Sequence, residues 1–142
     1  MSTITLIDNQ YVTLWFHEDT GIVHHVYRLG IGGDYLKEAL MRGTDCLIER
    51  KAYKWLSDNR AIEGVTDEEA HWIDTVWLPR TMAAGWKYWA LVVPESAMGR
   101  MNMIQFVQSF ANQGVMVRVF TDPDVAMEWL INVDKQDKQT QS

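Results

Sequence analysis

The segment KWLSDNRAI (54–62) carries an apolar run into Ser57, Asp58, Asn59 and Arg60. A hydroxyl, a carboxylate, an amide and a guanidinium in succession can hold a polar or anionic ligand through several hydrogen bonds. Glu95 and Ser96 after LVVP, and Thr121 and Asp122 after VRVF, follow strand-like runs in the same way. In an open parallel sheet ligands bind beyond the carboxyl ends of the strands, so the three loops are expected on one edge, around a shallow polar pocket. The ligand- or partner-binding candidates are Asp58, Asn59 and Arg60, with Thr66 at the next helix start. The plainer alternative, which this reading favours, is a loop that satisfies itself. In that case Asp58 pairs with Arg60 or accepts backbone N–H bonds, and Asn59 takes up left-handed geometry.

Other reactive residue types are placed less suggestively. GIGGD (30–34) has glycines that would let backbone N–H groups approach a phosphate. It lacks both the dinucleotide spacing and a P-loop Lys followed by Ser or Thr, and reads as a strand-to-helix turn. His17, His24 and His25 share one hairpin. Successive strand residues point to opposite faces, so His24 and His25 do not ligate one metal together. His71 lies far off, and no metal site is expected. Cys46 falls on an apolar helix stripe and reads as a buried structural thiol. Ser57 and Ser96 lack the context of a nucleophile elbow. No catalytic residue and no cofactor is assigned.

The elements that position these residues follow from periodicity. Thr3 to Asp8, Tyr11 to Glu18 and Ile22 to Leu29 read as three strands of an antiparallel meander, with Gly21 in the hairpin turn. Leu36, Ala39, Leu40, Gly43, Cys46 and Leu47 recur at helical spacing over 34–50, with Asp34 as the expected cap. Tyr53 to Ser57 is a short strand. Thr66 and Glu69 form a capping box for the second helix, Pro79 predicts a kink or break in it, and Gly85 marks its end. Lys87 to Val93 is a strand buried on both faces. Ser96 to Asn112 is the third helix, with Met98, Met101, Ile104, Phe106, Val107 and Phe110 on its apolar face and Met103 near its start. Val115 to Phe120 is the last strand. The closing helix starts at Thr121 or Asp122 with Pro123 near its first position. Residues 1–133 are expected to form one domain, and the polar stretch 134–142 a disordered tail. The order β-β-β-α-β-α-β-α-β-α predicts an α/β fold: an N-terminal antiparallel meander continuing into a mostly parallel sheet with about four helices.

YKWLSDNR, VTDEEAHWI, WALVVP and VRVFTDPDVAMEWL, taken in that order of elements, resemble the STAS/SpoIIAA-like superfamily. The nearest branch is the small bacterial single-domain proteins of unassigned function. The resemblance covers roughly residues 4–131. It implies a SpoIIAA-like (STAS-like) fold and a binding or regulatory role. Anti-sigma-factor antagonists of that superfamily carry a phosphorylatable Ser in an Asp-Ser-x-Gly-type motif at a helix start. The corresponding stretch here is GVTDEEA, with Thr66 as the nearest hydroxyl. It has no Asp-Ser pair and no following Gly, and Asp67, Glu68 and Glu69 would repel a phosphate.

The bulk properties narrow the classes further. The chain has 142 residues, 47% of them apolar, and a formal charge of −6. That charge argues against nucleic acid as a partner. No run reaches the roughly 18 apolar residues of a membrane span, no signal sequence is recognisable, and the single Cys forms no disulfide framework; a cytoplasmic location is expected. Seven Trp suggest a generous core, a contact surface or both. Trp72 and Trp77 are about 140° apart on an ideal helix, so one of them is expected at the margin, as part of a homodimer face or a ligand groove. The leading expectation is a non-enzymatic, self-associating binding or regulatory module that takes a small ligand or a protein partner. A small anion-binding protein or enzyme at the strand-end edge, and a carrier of an apolar ligand, are the alternatives.

Overall fold

The computed structural model describes residues 2–62, 64–94, 96–111 and 113–141, with side chains for all of these except 97, 99, 102, 103, 105, 106, 109 and 136–141. Glu95, Asn112 and the side chains of Met103 and Phe106, to which the sequence reading assigned places, lie outside the described residues. The strands are β1 (Thr3–Asp8), β2 (Val12–His17), β3 (Ile22–Tyr27), β4 (Lys54–Asp58), β5 (Tyr88–Val92) and β6 (Met116–Phe120). The helices are α1 (Gly33–Arg50), α2 (Asp67–Trp72), α3 (Leu78–Ala83), α4 (Ala97–Ala111) and α5 (Pro123–Gln141), with a π-helical turn at Ile73–Trp77 joining α2 to α3.

The architecture is α/β around one mixed six-stranded sheet whose spatial order is the chain order, β1 through β6. β1, β2 and β3 pair antiparallel. β3 through β6 pair parallel. The carboxyl ends of β3, β4, β5 and β6 therefore share one edge. Alternation within the strands builds two cores. Val23, Trp55, Trp89 and Leu91 face a layer made by α1, the π turn, α3 and α4. Ile22, Leu56, Ala90 and Val92 face α5 through Ala126, Leu130 and Val133.

The large core is aromatic. Trp55, Trp77, Trp86, Trp89 and Phe110 meet edge-on or tilted, with successive ring centroids 5.1–5.4 Å apart. Such arrangements suit the ring quadrupoles. Gly43 makes room for Trp55: a Cβ there would lie 2.3 Å from the indole.

Local signals hold in most places. Thr66 and Glu69 close the expected capping box of α2. Asp122 caps α5 by accepting from the Asp124 N–H at 2.9 Å, and Pro123 is the helix's first residue. The expected cap of α1 is corrected: Gly32 takes the cap position without a side-chain bond, and Asp34 sits in the first turn. Pro79 does not break its helix. The backbone widens just ahead of it, and the Leu78 N–H reaches back five residues to the Ile73 carbonyl. That widening absorbs the missing N–H and the steric conflict of the ring.

α5 continues past residue 133, where a polar tail was expected. Asp134 is engaged there, accepting from Tyr53 Oη at 2.6 Å and from Lys54 Nζ at 2.9 Å. No helix among the described residues is long and apolar enough to cross a membrane.

Candidate functional site

β4 ends on Ser57 and Asp58, and Asn59 and Arg60 follow it. Alternation sends Ser57 to the aromatic core and Asp58 to the α5 face, and both are buried. Asp58 accepts from Arg60 Nε and Nη2, each at 2.9 Å, and from the Arg60 backbone N–H at 3.3 Å. A two-pronged guanidinium–carboxylate pair fixes a loop more firmly than a single contact. The self-stapled loop expected as the plainer reading is present. The Arg60 side chain remains 44% exposed.

The loop also walls a cleft of about 800 Å³ at the carboxyl edge of the sheet. It is lined by the segment after β3, Arg28 to Ile31, by Arg60, Ala61 and Ile62 after β4, and by Pro94 and Ser96 after β5. Glu69 and Tyr27 contribute from inside. Two of the three expected strand-end loops thus meet, while Thr121 and Asp122 are not among its lining residues. Arg28 is fixed by bonds to the Asn9 carbonyl at 3.0 Å and to Thr13 Oγ1 at 2.7 Å. Leu29, 84% exposed, forms an apolar lip. The sequence reading missed Tyr27, Arg28, Leu29 and Glu69 as cleft residues. The signal available was that β3, parallel to β4, also ends on this edge; treating β3 only as a meander strand hid it.

Asn59 turns away from the cleft into a buried polar chain. Indole N–H groups only donate, so the Trp55 Nε1 bond at 3.0 Å makes His25 Nδ1 an acceptor. His25 Nε2 then carries the proton and donates to Asn59 Oδ1 at 2.9 Å. Burial drives the His25 pKa down to about 4, against the opposing influence of Asn59 and Asp58. With both nitrogens committed, this imidazole is a spacer in the core. In parallel, Trp89 Nε1 donates to Ser57 Oγ at 2.8 Å.

Thr66 belongs to a separate, open depression with Gly32, Gly33, Asp34 and Glu69. Its hydroxyl oxygen accepts from the Glu69 N–H at 3.1 Å. The Glu69 carboxylate lies beside the start of α1, with Oε2 3.4 Å from where a Gly33 Cβ would be. The positive end of α1 thus already faces a protein anion, which supports the plain turn over a phosphate cradle in GIGGD. Asp58 and Arg60 therefore share the cleft, Asn59 lines the core, and Thr66 caps a helix.

The histidines divide as alternation requires. His24 lies on the face opposite His25 and meets His17, Nδ1 to Nε2 at 3.1 Å. Burial, with smaller effects from His17 and His25, lowers the His24 pKa to about 3. No group of three or more metal-binding side chains occurs among the described residues. Cys46 is buried, and that burial pushes its thiol up. Trp77 is 3% exposed and donates its N–H to the Leu40 carbonyl at 3.0 Å. Trp72 is half-buried, with Lys37 Nζ 5.4 Å from its ring centre. The chain matches no family model, no curated protein and no solved structure.

Proposed function

We propose that this chain is a non-enzymatic binding or regulatory module of the STAS/SpoIIAA-like kind, whose ligand or partner segment enters the carboxyl-edge cleft. The observation that carries the reading is the cleft itself: about 800 Å³ at the place where parallel sheets take ligands, with Arg28 and Arg60 among its lining residues. The occupant is small and polar, with an apolar side for Leu29, Ile31 and Ile62. The order of elements supports the SpoIIAA-like assignment with about four helices, the run 67–83 counting as one continuous helix with a π turn.

The arrangement favours binding over catalysis. Asp58 is committed to Arg60, His25 uses both ring nitrogens, and Asn59 and Thr66 do not converge with them on one point. The carrier alternative is less well supported, because the space between the helices and the sheet near His25 is about 30 Å³, far below that of a typical ligand pocket.

Self-association through the second helical run is part of the proposal. Trp72 is half-buried and Val76 is 46% exposed on that run, an apolar margin suited to a second copy. Light scattering behind size exclusion tests it: a dimer that Trp72→Ala converts to monomer is expected, and a wild-type monomer at high micromolar concentration removes the claim. For the cleft, Arg60→Ala is expected to abolish ligand binding. A fully active, merely less stable variant would return the loop to a structural role.

A further inference from the structure

Beside the cleft, and sharing Tyr27 and Leu36 with it, lies a small, partly open chamber of about 30 Å³. Apolar groups form most of its wall, among them Leu40, Trp77 and Phe110, but Tyr27, Ser57, Asn59 and His25 also reach it. Tyr27 is 3% exposed, and its hydroxyl is buried without a hydrogen-bond partner among the described residues. Its ring stacks on His25 at 3.9 Å between centroids, so the phenol is held in place. A buried hydroxyl left without a partner is strongly disfavoured.

Ser57 Oγ is half used. It accepts from Trp89, which leaves its own O–H to donate. Both residues line the chamber; the Tyr27 hydroxyl needs a partner, and the Ser57 hydroxyl has a donor to offer one. We propose that the chamber is a binding site for one small uncharged hydrogen-bonding molecule, a resident water that bridges the Tyr27 and Ser57 hydroxyls.

Size and chemistry agree. A water needs about 10–15 Å³ of such space and two to four polar partners. An ion is excluded, because no lining group carries a compensating charge: His25 is neutral, and the nearest carboxylates, Asp58 and Glu69, line the cleft instead.

A crystal structure of the wild type at high resolution, with a second crystal pressurised with xenon, tests the site. The expected result is a water in the chamber about 2.6–3.0 Å from Tyr27 Oη, with no xenon there. Tyr27→Phe keeps the stacked ring and removes the bond, so its Tm is expected to fall by about 3–5 °C. Ser57→Ala is expected to lose the same water while Tyr27 stays in place. Xenon in the wild-type chamber overturns the proposal, as does a Tyr27→Phe variant whose Tm is unchanged or raised.

Discussion

Gly43 carries more of the fold than its size suggests. It stands on the apolar stripe of α1, where sequence periodicity places it, but the reason for glycine is visible only in three dimensions. A Cβ would meet three atoms of the Trp55 ring, the nearest at 2.3 Å. That ring is also held by its bond to His25 and by the neighbouring Trp77, so it cannot step aside cheaply. Gly43→Ala is expected to lose about 2–3 kcal/mol in urea unfolding, in the upper range for overpacked cores. At the other end of β4, Asp58→Ala removes the staple from Arg60. With Arg60 partly in solvent, the expected loss is about 1–2 kcal/mol, read by the same denaturation. The pairing of Asp58 with Arg60 was legible from residue types two apart. The inward turn of Asn59 was not, because its partner His25 lies 34 positions away.

Among the elements, α5 covers its face of the sheet, and a polar clamp fixes its middle. Lys54, 4% exposed, donates to the Leu130 carbonyl at 2.6 Å and to Asp134, which Tyr53 also binds. Burial opposes ionisation of Asp134, but hydrogen bonds from Tyr53 and Lys54, with the Lys54 charge, outweigh it and lower the pKa. A carboxylate with a depressed folded pKa stabilises the fold above its unfolded value, near 3.8, and loses that contribution as the pH falls through the folded value. Asp134→Ala strands a buried ammonium and is expected to lose about 2–4 kcal/mol at pH 7. Amide exchange in α5 should accelerate; unchanged protection would contradict the clamp. The engagement of Asp134 was not legible in the sequence, because polarity alone cannot see a partner 80 positions back. Pro79 likewise predicted a disturbance, yet whether a helix breaks or widens depends on the packing of Trp77 and Leu78, which composition does not reveal.

For the molecule as a whole, burying two histidines against one sheet predicts an acid response. His24 and His25 are held neutral by burial, at about 3 and about 4. The unfolded chain takes up those protons near pH 6.5 while the folded chain does not. Stability is therefore intact above pH 6.5 and falls as the pH drops toward the folded values. For His25 alone the loss is about 3 kcal/mol once the pH is below 4. Urea midpoints at pH 7.5 and 5 should show the decline, and His25→Gln should flatten it. Element types and order were legible across the chain because strand and helix periods are distinct. The cleft was only half legible: two of its walls follow strands recognised as parallel, whereas the third follows β3, whose parallel pairing with β4 depends on the crossover through α1. The most direct test of that cleft is an NMR titration of the 15N-labelled protein with a panel of small carboxylates, phosphates and amines. Shifts concentrated at residues 26–31, 58–62, 94 and 96 that disappear in Arg60→Ala are expected. Shifts gathered elsewhere, or the same shifts in that variant, would contradict a ligand site in the cleft.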